Sequence, residues 1–137
     1  MNDLLIVVPE NPPPEGMKAD LFQTKDGVSI RFARAPGRGA EKHGTVVILP
    51  GRNEYIEKYF ETANDLTERG YGAAILDWRG QGRSQRLLPD ANRGYVESFD
   101  DYVRDLDAFF EQVVLPDCRG PYYILAHSTG VLIALLA

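Results

Sequence analysis

One segment of this chain has residues suited to nucleophilic chemistry, because it places a single serine in a tight turn. Ser128 lies between the apolar segment Tyr122–Ala126 and the apolar run Val131–Ala137. The pattern predicts a short buried strand, a sharp turn and the first turns of a buried helix. A serine on such a strand-to-helix turn, a nucleophile elbow, has a strained backbone that pushes its hydroxyl into solvent.

The residues beside Ser128 fit this interpretation. Where the strand and the helix nearly touch, the residues two before and two after the serine must be small. Ala126 and Gly130 meet this requirement, although glycine is usual at the first position. The alternative is an ordinary strand-to-helix turn in which Ser128 only caps the helix.

An acyl-transfer serine also needs N–H donors for the negatively charged oxygen of its intermediate. One donor would be the backbone N–H of Thr129, the residue after the serine. The other would come from the loop Pro50–Asn53, which follows the apolar segment Thr45–Leu49. Gly51 lets that loop approach a substrate closely, and the N–H of Arg52 is best placed to donate. The alternative for Gly51 is a plain loop glycine.

Neither histidine of the sequence is expected to be the general base. His127 is adjacent to Ser128 on the same sharp turn, so its side chain points away from the hydroxyl. We expect it to be a partly buried structural histidine. His43 lies in a polar loop at the amino end of a predicted strand, where we expect a solvated side chain.

Two further motifs follow a strand-like segment in the middle of the chain. Asp77 resembles a catalytic acid, but it precedes Ser128 in the chain, and we expect it to tie down its own loop. Gly80 and Gly82 resemble part of a dinucleotide-binding fingerprint. Because Gln85 stands where a third small residue is needed and no helix is predicted to follow, we do not expect a dinucleotide site.

The composition is that of an ordinary soluble domain. The 137 residues are 44% hydrophobic and 26% charged, which is enough chain for one domain with a real core. The net charge of −5, without clustered lysine and arginine, argues against a nucleic-acid surface. The single cysteine, Cys118, excludes an intrachain disulfide and indicates a reducing compartment. No motif supplies a set of metal ligands.

Residues 1–16 are expected to form a stiff lead-in and not a folded element. Their apolar run, Leu4–Val8, follows Asp3 and lacks the basic start of a secretory signal. Four prolines and Gly16 come after it. No segment of the chain approaches the length of a membrane-spanning helix.

Strands and turns are predicted from residue 17 onward. Asp26–Gly27 indicates a two-residue hairpin turn between the segments Asp20–Thr24 and Val28–Arg34. A polar loop, Pro36–Gly44, follows the hairpin. Buried strands are predicted at three apolar runs: Thr45–Leu49, Gly72–Trp78 and Tyr122–Ala126.

Two amphipathic helices are predicted between these strands. The first is capped by Asn53 and ends at Gly70, with five apolar positions at helical spacing. Those positions are Ile56, Tyr59, Phe60, Ala63 and Leu66. The second follows the loop 79–94 and begins at Ser98, which has Asp101 three residues on as in a capping box. Pro116 is expected beyond its end.

The order of these elements predicts an α/β fold, a mostly parallel sheet with helices on both faces. Ligands in such sheets bind at the carboxyl ends of the strands. The three unusual segments (the loop Pro50–Asn53, the loop Asp77–Ser84 and the elbow) all follow predicted strands. We therefore expect them to meet at one edge of the sheet.

Four segments, considered together, resemble one known family. They are Leu49–Glu54, Asp77–Ser84, Phe99–Leu106 and Ile124–Gly130. They resemble the N-terminal half of an α/β-hydrolase of the bacterial lysophospholipase and monoacylglycerol-lipase type, over roughly residues 22–137. The proline before Gly51 and the alanine before His127 are most similar to the lysophospholipase branch. Thr129 replaces a methionine common in the family, and Val131 replaces a frequent further glycine.

The resemblance implies an α/β-hydrolase fold with Ser128 as nucleophile and the N–H groups of Arg52 and Thr129 as the oxyanion hole. Supporting roles would fall to Gly51, Ala126, His127 and Gly130. The implied substrate is a small-molecule, lipid-like ester, a lysophospholipid or a monoacylglycerol, with no metal or organic cofactor. We expect no nucleic-acid partner, transient contact with a membrane surface, and a cytoplasmic location peripheral to the inner face of the membrane.

The catalytic Asp and His of this family, and the cap that shapes its acyl pocket, come later in the chain than Ser128. We therefore expect residues 17–137 to be the N-terminal half of a hydrolase core, truncated after the elbow, from a protein about twice as long. Without a downstream histidine no base would deprotonate Ser128. The last strand would also be an unpaired hydrophobic edge. We expect the 137-residue piece alone to be poorly soluble and inactive on aryl esters.

Other functions stay open at this point. The same fold would also suit a serine aminopeptidase, a thioesterase or an acyltransferase. The cap, which this chain lacks, determines which of these reactions occurs. A non-catalytic binding protein with a hydrolase-like scaffold is the alternative from a different class. An Asp after a later strand, followed by a His near the end of the longer protein, would favour an enzyme. The oligomeric state is not indicated by the sequence.

Overall fold

Five strands form one mixed sheet in the computed structural model of the chain, which describes residues 4–39, 42–84 and 99–136. The strands are β1 Lys18–Gln23, β2 Ser29–Ala35, β3 Gly44–Leu49, β4 Tyr71–Leu76 and β5 Tyr122–Ala126. Their order across the sheet is β1-β2-β4-β3-β5. The hairpin β1–β2 and the pair β2–β4 are antiparallel, whereas β3 is parallel to both β4 and β5. The parallel part of the sheet is thus the part that carries the three loops of interest.

Helices cover both faces of this sheet, as predicted. They are α1 Phe60–Glu68, α2 Phe99–Phe109, α3 Leu115–Asp117 and α4 Thr129–Leu136. A 3-10 turn, Ile56–Tyr59, precedes α1, and a π-helical segment, Phe110–Val114, joins α2 to α3. Within the described ranges, none of these helices is both long and apolar enough to cross a membrane.

Two hydrophobic cores result, one on each face, because successive side chains of β3 point to opposite sides. Val46 and Ile48 pack with Phe60 of α1, whereas Val47 and Leu49 pack in the core that contains α2. All six residues of β3 are buried. The prediction of a strand covered on both faces is confirmed for β3.

The last strand and helix are much more exposed than the predicted buried strand and buried helix. Ile124 of β5 is 50% exposed and Leu135 of α4 is 77% exposed, whereas Ile133 of α4 is buried. Among the described residues, β5 pairs only with β3, so it forms the edge of the sheet. The expectation of an edge strand is confirmed, and this edge position is why burial was predicted wrongly.

The predicted hairpin is present, but its turn is longer than two residues. Three residues, Lys25–Gly27, lie between Thr24 and Val28, and the Thr24 N–H donates to the Val28 carbonyl over 3.0 Å. Gly27 has a φ of 84°. The Asp–Gly pair therefore marks the turn correctly and predicts its length wrongly, because the glycine takes the left-handed position at the end of a longer loop.

The predicted start of the first helix is wrong. Asn53 does not cap α1, because it adopts a left-handed φ of 64° and donates its N–H to Gln81. The 3-10 turn intervenes before α1 starts at Phe60. The stop is confirmed, since Gly70 follows α1 with a φ of 91°.

The second helical region also ends later than expected. Pro116 lies inside α3 and not beyond the helical region, because the π-helical segment carries the chain past Val114 without a break. Proline has no backbone N–H to donate, and Pro116 lies in the first turn of α3, directly downstream of the π-helical segment. The predicted capping serine, Ser98, lies outside the described residues.

The lead-in contacts the rest of the chain at several points. Leu5 is buried. The Ile6 N–H donates to the Glu57 carboxylate and the Asn11 side-chain amide to the Glu57 carbonyl, both over 2.9 Å. The segment before the hairpin therefore lies against the 3-10 turn that precedes α1.

Two buried arginines connect elements that are distant in sequence. Arg31 of β2 binds Glu57 at 2.7 Å and Asp77 at 2.6 Å, and its own side chain is fully buried. Arg79 binds Asp105 of α2 and Asp26 of the hairpin turn, each at 2.8 Å. These ion pairs attach the loop after β4 to the 3-10 turn, to α2 and to the hairpin.

Candidate active site

The three loops that follow β3, β4 and β5 meet at the carboxyl end of the parallel strands, as predicted. The Trp78 indole N–H donates to the Pro50 carbonyl over 2.8 Å. The Asn53 N–H donates to the Gln81 side-chain oxygen over 2.5 Å. A Cβ placed on Gly51 would lie 3.2 Å from the His127 carbonyl oxygen. The loop after β3 therefore contacts both of its neighbours.

The turn that carries Ser128 is strained. Ser128 has a φ of 55°, in the left-handed region that residues other than glycine rarely adopt, and it is exposed. It sits between the end of β5 at Ala126 and the start of α4 at Thr129. Such strain persists only where the surrounding structure holds it, and it is concentrated at functional sites.

Close contact between α4 and the end of β3 holds this turn. The His127 N–H donates to the Leu49 carbonyl over 3.1 Å, and the Gly130 N–H donates to the His127 carbonyl over 3.0 Å. A Cβ on Gly130 would lie 2.4 Å from the Leu49 carbonyl oxygen. The backbone of α4 therefore approaches β3 so closely that only glycine fits, which is the steric reason to expect a small residue at this position. Ala126, the other small residue, is half-buried.

Side-chain and backbone acceptors account for most N–H groups of the loop after β3. The Gly51 N–H donates to the Glu54 carboxylate over 2.5 Å. The Glu54 N–H donates to the Gly51 carbonyl over 3.3 Å, and the Asn53 N–H is taken by Gln81. The Arg52 N–H has no acceptor among the described residues. Arg52 is thus the residue of this loop with a free donor.

The elbow has a matching free donor at Thr129. As the first residue of α4, Thr129 has no intrahelical acceptor for its N–H, and none is provided elsewhere in the part of the chain that the structure describes. Unsatisfied N–H groups at a helix start attract anions. Arg52 and Thr129, both expected as oxyanion donors, therefore each carry an N–H group without an acceptor among the described residues.

A buried carboxylate links the loop and the elbow. Oε1 of Glu54 accepts the Gly51 N–H, accepts the Tyr59 hydroxyl over 2.6 Å, and lies 3.1 Å from Nδ1 of His127. Oε2 binds the Lys58 ammonium at 2.9 Å. Burial alone would raise the pKa of Glu54, but the hydrogen bonds from Tyr59, Lys58 and the Gly51 N–H lower the pKa to about 2. Glu54 is therefore ionised at neutral pH.

The expectation of a partly buried His127 is wrong. Its side chain is 66% exposed at the carboxyl end of the parallel strands. Its Nδ1 faces the Glu54 carboxylate. His43 is exposed, as expected, and lies beside the Tyr71 ring at the amino end of β3, with ring centroids 5.4 Å apart.

Asp77 ties down its own loop, as expected, and also reaches further. Its carboxylate accepts the Arg83 N–H over 2.8 Å and the Ile56 N–H over 2.9 Å, and it pairs with the buried Arg31. Asp77 therefore organises the loop after β4 and the start of the 3-10 turn together. These bonds give Asp77 a structural role.

Sequence reasoning assigned no role to Glu54 or Gln81. Both are buried and both hold backbone N–H groups of the loop after β3. Gln81 also donates to the Tyr102 hydroxyl over 3.2 Å. The available signal was a polar residue at a fixed distance after Gly51 and after Asp77, which is too common in loops to be specific.

A cleft of about 400 Å³ lies at the amino-terminal end of the parallel strands, the end opposite to Ser128. It is lined by residues at the amino ends of β3 and β4, such as Thr45 and Gly72, and by Cys118, a free half-buried thiol. Burial raises the pKa of that thiol. Among residues 4–39, 42–84 and 99–136, no three side chains of the metal-binding types form a ligand cluster.

Comparison with known proteins agrees with this geometry. The family model described as serine aminopeptidase, S33 (Hydrolase_4) matches residues 40–137. Lysophospholipase L2 of Escherichia coli K12 is 47% identical over 115 residues, which are 84% of this chain and 33% of the relative. A probable lysophospholipase L2 of Haemophilus influenzae is 37% identical over 89 residues, 65% of this chain and 28% of the relative.

A solved structure has the same fold. The α/β-hydrolase GrgF from Penicillium sp. sh18 superposes with a TM-score of 0.72 over 88% of this chain and 40% of that protein, at 18% identity. The chain spans about a third of the length of the curated lysophospholipases that it matches. From the family match, the fold and the strained serine turn together, the chain belongs to the α/β-hydrolase family described as serine aminopeptidase, S33.

Proposed function

We propose that the intact protein is a serine hydrolase that cleaves carboxylic esters of lipid-like substrates through an acyl-enzyme on Ser128. The observation that carries this proposal is the left-handed φ of 55° at Ser128, an exposed serine between β5 and α4. A capping serine does not need this conformation, whereas a nucleophile elbow does. The free N–H groups of Arg52 and Thr129 add the second requirement of acyl transfer.

The mechanism follows from these groups. The Ser128 oxygen attacks the ester carbonyl carbon, and its proton passes to a general base supplied by residues beyond this chain. The carbonyl oxygen becomes an oxyanion that accepts hydrogen bonds from the Arg52 and Thr129 N–H groups. Collapse of the intermediate leaves the acyl group on Ser128 and expels the alcohol, which takes up the proton from the protonated base. Water then attacks the acyl-enzyme, releases the carboxylic acid and restores the Ser128 hydroxyl.

The substrate class rests on the relatives. Both curated relatives described above are named as lysophospholipases, and a phospholipase of Bacillus subtilis is 31% identical over 90 residues. We therefore propose a lysophospholipid or a monoacylglycerol as the substrate of the intact protein. Transient contact with a membrane surface would follow from such a substrate and stays a prediction.

A serine aminopeptidase is the second candidate. The description of the matching family model favours it, because that description names aminopeptidases. The elbow and its N–H donors would serve amide hydrolysis equally well, since both reactions pass through a tetrahedral oxyanion. The two reactions differ in the leaving group, which is an alcohol for an ester and an amine for an amide.

Labelling with a fluorophosphonate probe tests the nucleophile in the full-length protein. The wild type should be labelled, Ser128→Ala should not, and Ser29→Ala, a serine of β2, which lies three strands across the sheet from β5, should be labelled like the wild type. Labelling that survives Ser128→Ala would remove this serine from the mechanism. Hydrolysis of a lysophospholipid and of an aminoacyl anilide, measured side by side, then decides between the two candidates.

A further inference from the structure

We propose that Glu54 is a positioning residue that holds the two halves of the oxyanion hole, the loop after β3 and the elbow after β5, at the separation that catalysis needs. This inference rests on the proposed function, because it assigns the Arg52 and Thr129 N–H groups to the oxyanion. Glu54 itself would touch neither the substrate nor the reacting atoms.

The link is a single carboxylate oxygen. Oε1 of Glu54 accepts the Gly51 N–H over 2.5 Å and lies 3.1 Å from Nδ1 of His127. Gly51 immediately precedes Arg52, and His127 immediately precedes Ser128. One oxygen atom therefore contacts both the residue before the Arg52 donor and the residue before the Ser128 nucleophile. These two residues lie on loops that are more than seventy residues apart in the chain.

The carboxylate is well suited to this role because it is rigidly held. Its side chain is 8% exposed, and the Tyr59 hydroxyl and the Lys58 ammonium complete its hydrogen bonds at 2.6 and 2.9 Å. A buried anion with several donors is much less free to move than an exposed one. The low pKa of Glu54, about 2, keeps the acceptor charged over the whole range in which an esterase works.

Gly51 and Glu54 act as one unit. A Cβ on Gly51 would lie 2.8 Å from Oε1 of Glu54 and 3.2 Å from Nδ1 of His127. Any side chain at position 51 would thus push the carboxylate away from the N–H that it accepts and from the imidazole. Glycine is needed at this position so that a buried acid can reach both loops.

Loss of the carboxylate should impair the transition state more than substrate binding. The oxyanion exists only during reaction, so a misplaced Arg52 N–H weakens an interaction that the bound ester does not yet make. A fall in kcat with an unchanged KM is the expected signature. A general loss of structure would instead reduce the amount of active protein and leave the kcat per labelled site unchanged.

The experiment uses the full-length protein and three variants, with kcat calculated per fluorophosphonate-titrated site on an aryl ester. Glu54→Ala removes the acceptor, and we expect kcat to fall ~100-fold with KM within about twofold of the wild type. Glu54→Gln retains one amide oxygen, and we expect a smaller fall of ~10-fold. Glu15→Ala, the matched control, removes a carboxylate of an exposed ion pair with Arg38 and should stay near the wild type.

The outcomes separate this inference from the function on which it rests. Activity that depends on Ser128 but is unchanged in Glu54→Ala, or is lost equally in Glu15→Ala, would overturn the role of Glu54 alone. A loss confined to KM would do the same. Activity that survives Ser128→Ala would overturn the proposed function and this inference with it. If Glu54→Ala does not fold, the ratio of kcat in Glu54→Gln to kcat in Glu15→Ala decides the question.

Discussion

The indole N–H of Trp78 donates a hydrogen bond to the carbonyl oxygen of Pro50 over 2.8 Å. Both residues are buried; Pro50 directly follows β3, and Trp78 lies two residues after the end of β4. The Trp78 ring also packs edge-on against Tyr102 of α2, with centroids 5.5 Å apart. The loop that carries the Arg52 N–H is therefore attached to the end of β4 and, through it, to α2.

Replacing Trp78 with phenylalanine should destabilise the protein, because the Pro50 carbonyl would stay buried without a donor. We expect a loss of ~1–3 kcal/mol in the free energy of unfolding, measured by urea denaturation. Tyr122→Phe is the control, since its hydroxyl also donates to a carbonyl, that of Cys118, but at an exposed site. A Trp78→Phe protein as stable as this control would show that the bond contributes nothing.

Replacing Arg31 with methionine should be far more costly than a change at a surface ion pair. Arg31 is the buried partner of Glu57 and Asp77, so its loss leaves two carboxylates without their cation. We expect a loss of ~3–5 kcal/mol at neutral pH. Arg38→Met is the matched control, because Arg38 pairs with Glu15 at 3.4 Å while about half-exposed, and it should cost less than ~1 kcal/mol. Equal losses in the two variants would contradict this account of Arg31.

Stability should fall in acid partly through Glu54. The pKa of Glu54 is about 2 in the folded protein against an ordinary 4.5, so the unfolded chain binds more protons between these values. The contribution is complete above pH 4.5 and is lost as the pH falls towards about 2. The stability gap between wild type and Glu54→Gln should therefore shrink by ~3 kcal/mol over this range, measured by urea denaturation. A gap that does not vary with pH would contradict an ionic role.

The strands and the meeting of three loops could be predicted because their signals are local. The β-branched run Thr45–Leu49 can be covered on both faces only as a central strand, and parallel strands bring their following loops to one edge. The sequence pattern of the serine turn is local too, because Ser128 and its small neighbours lie within a few residues of one another. These features need no knowledge of distant parts of the chain.

Long-range contacts could not be predicted in the same way. Asn53 is of a residue type that often caps helices, but its N–H donates to the side-chain oxygen of Gln81 in a neighbouring loop. Its backbone is in the left-handed region, which a helix cap does not need. The partners of Arg31 lie 26 and 46 residues away, and no local pattern identifies them. Burial of β5 was predicted wrongly for the same reason, since exposure depends on which strands adjoin it.

Gly130 should be the position at which the smallest added group has the largest effect on activity. A methyl group there would lie 2.4 Å from the Leu49 carbonyl oxygen, so Gly130→Ala must push α4 away from β3 and carry Ser128 with it. We expect a fall in the rate of fluorophosphonate labelling of ~100-fold in the full-length protein, because a displacement near 1 Å is enough for such a loss. Gly27→Ala is the control: its φ of 84° makes an alanine strained, but no atom lies within 4 Å, so it should cost ~1 kcal/mol of stability and leave labelling unchanged. Wild-type labelling in Gly130→Ala would mean that α4 can move without moving the serine, and the close contact with Leu49 would then not be what positions Ser128.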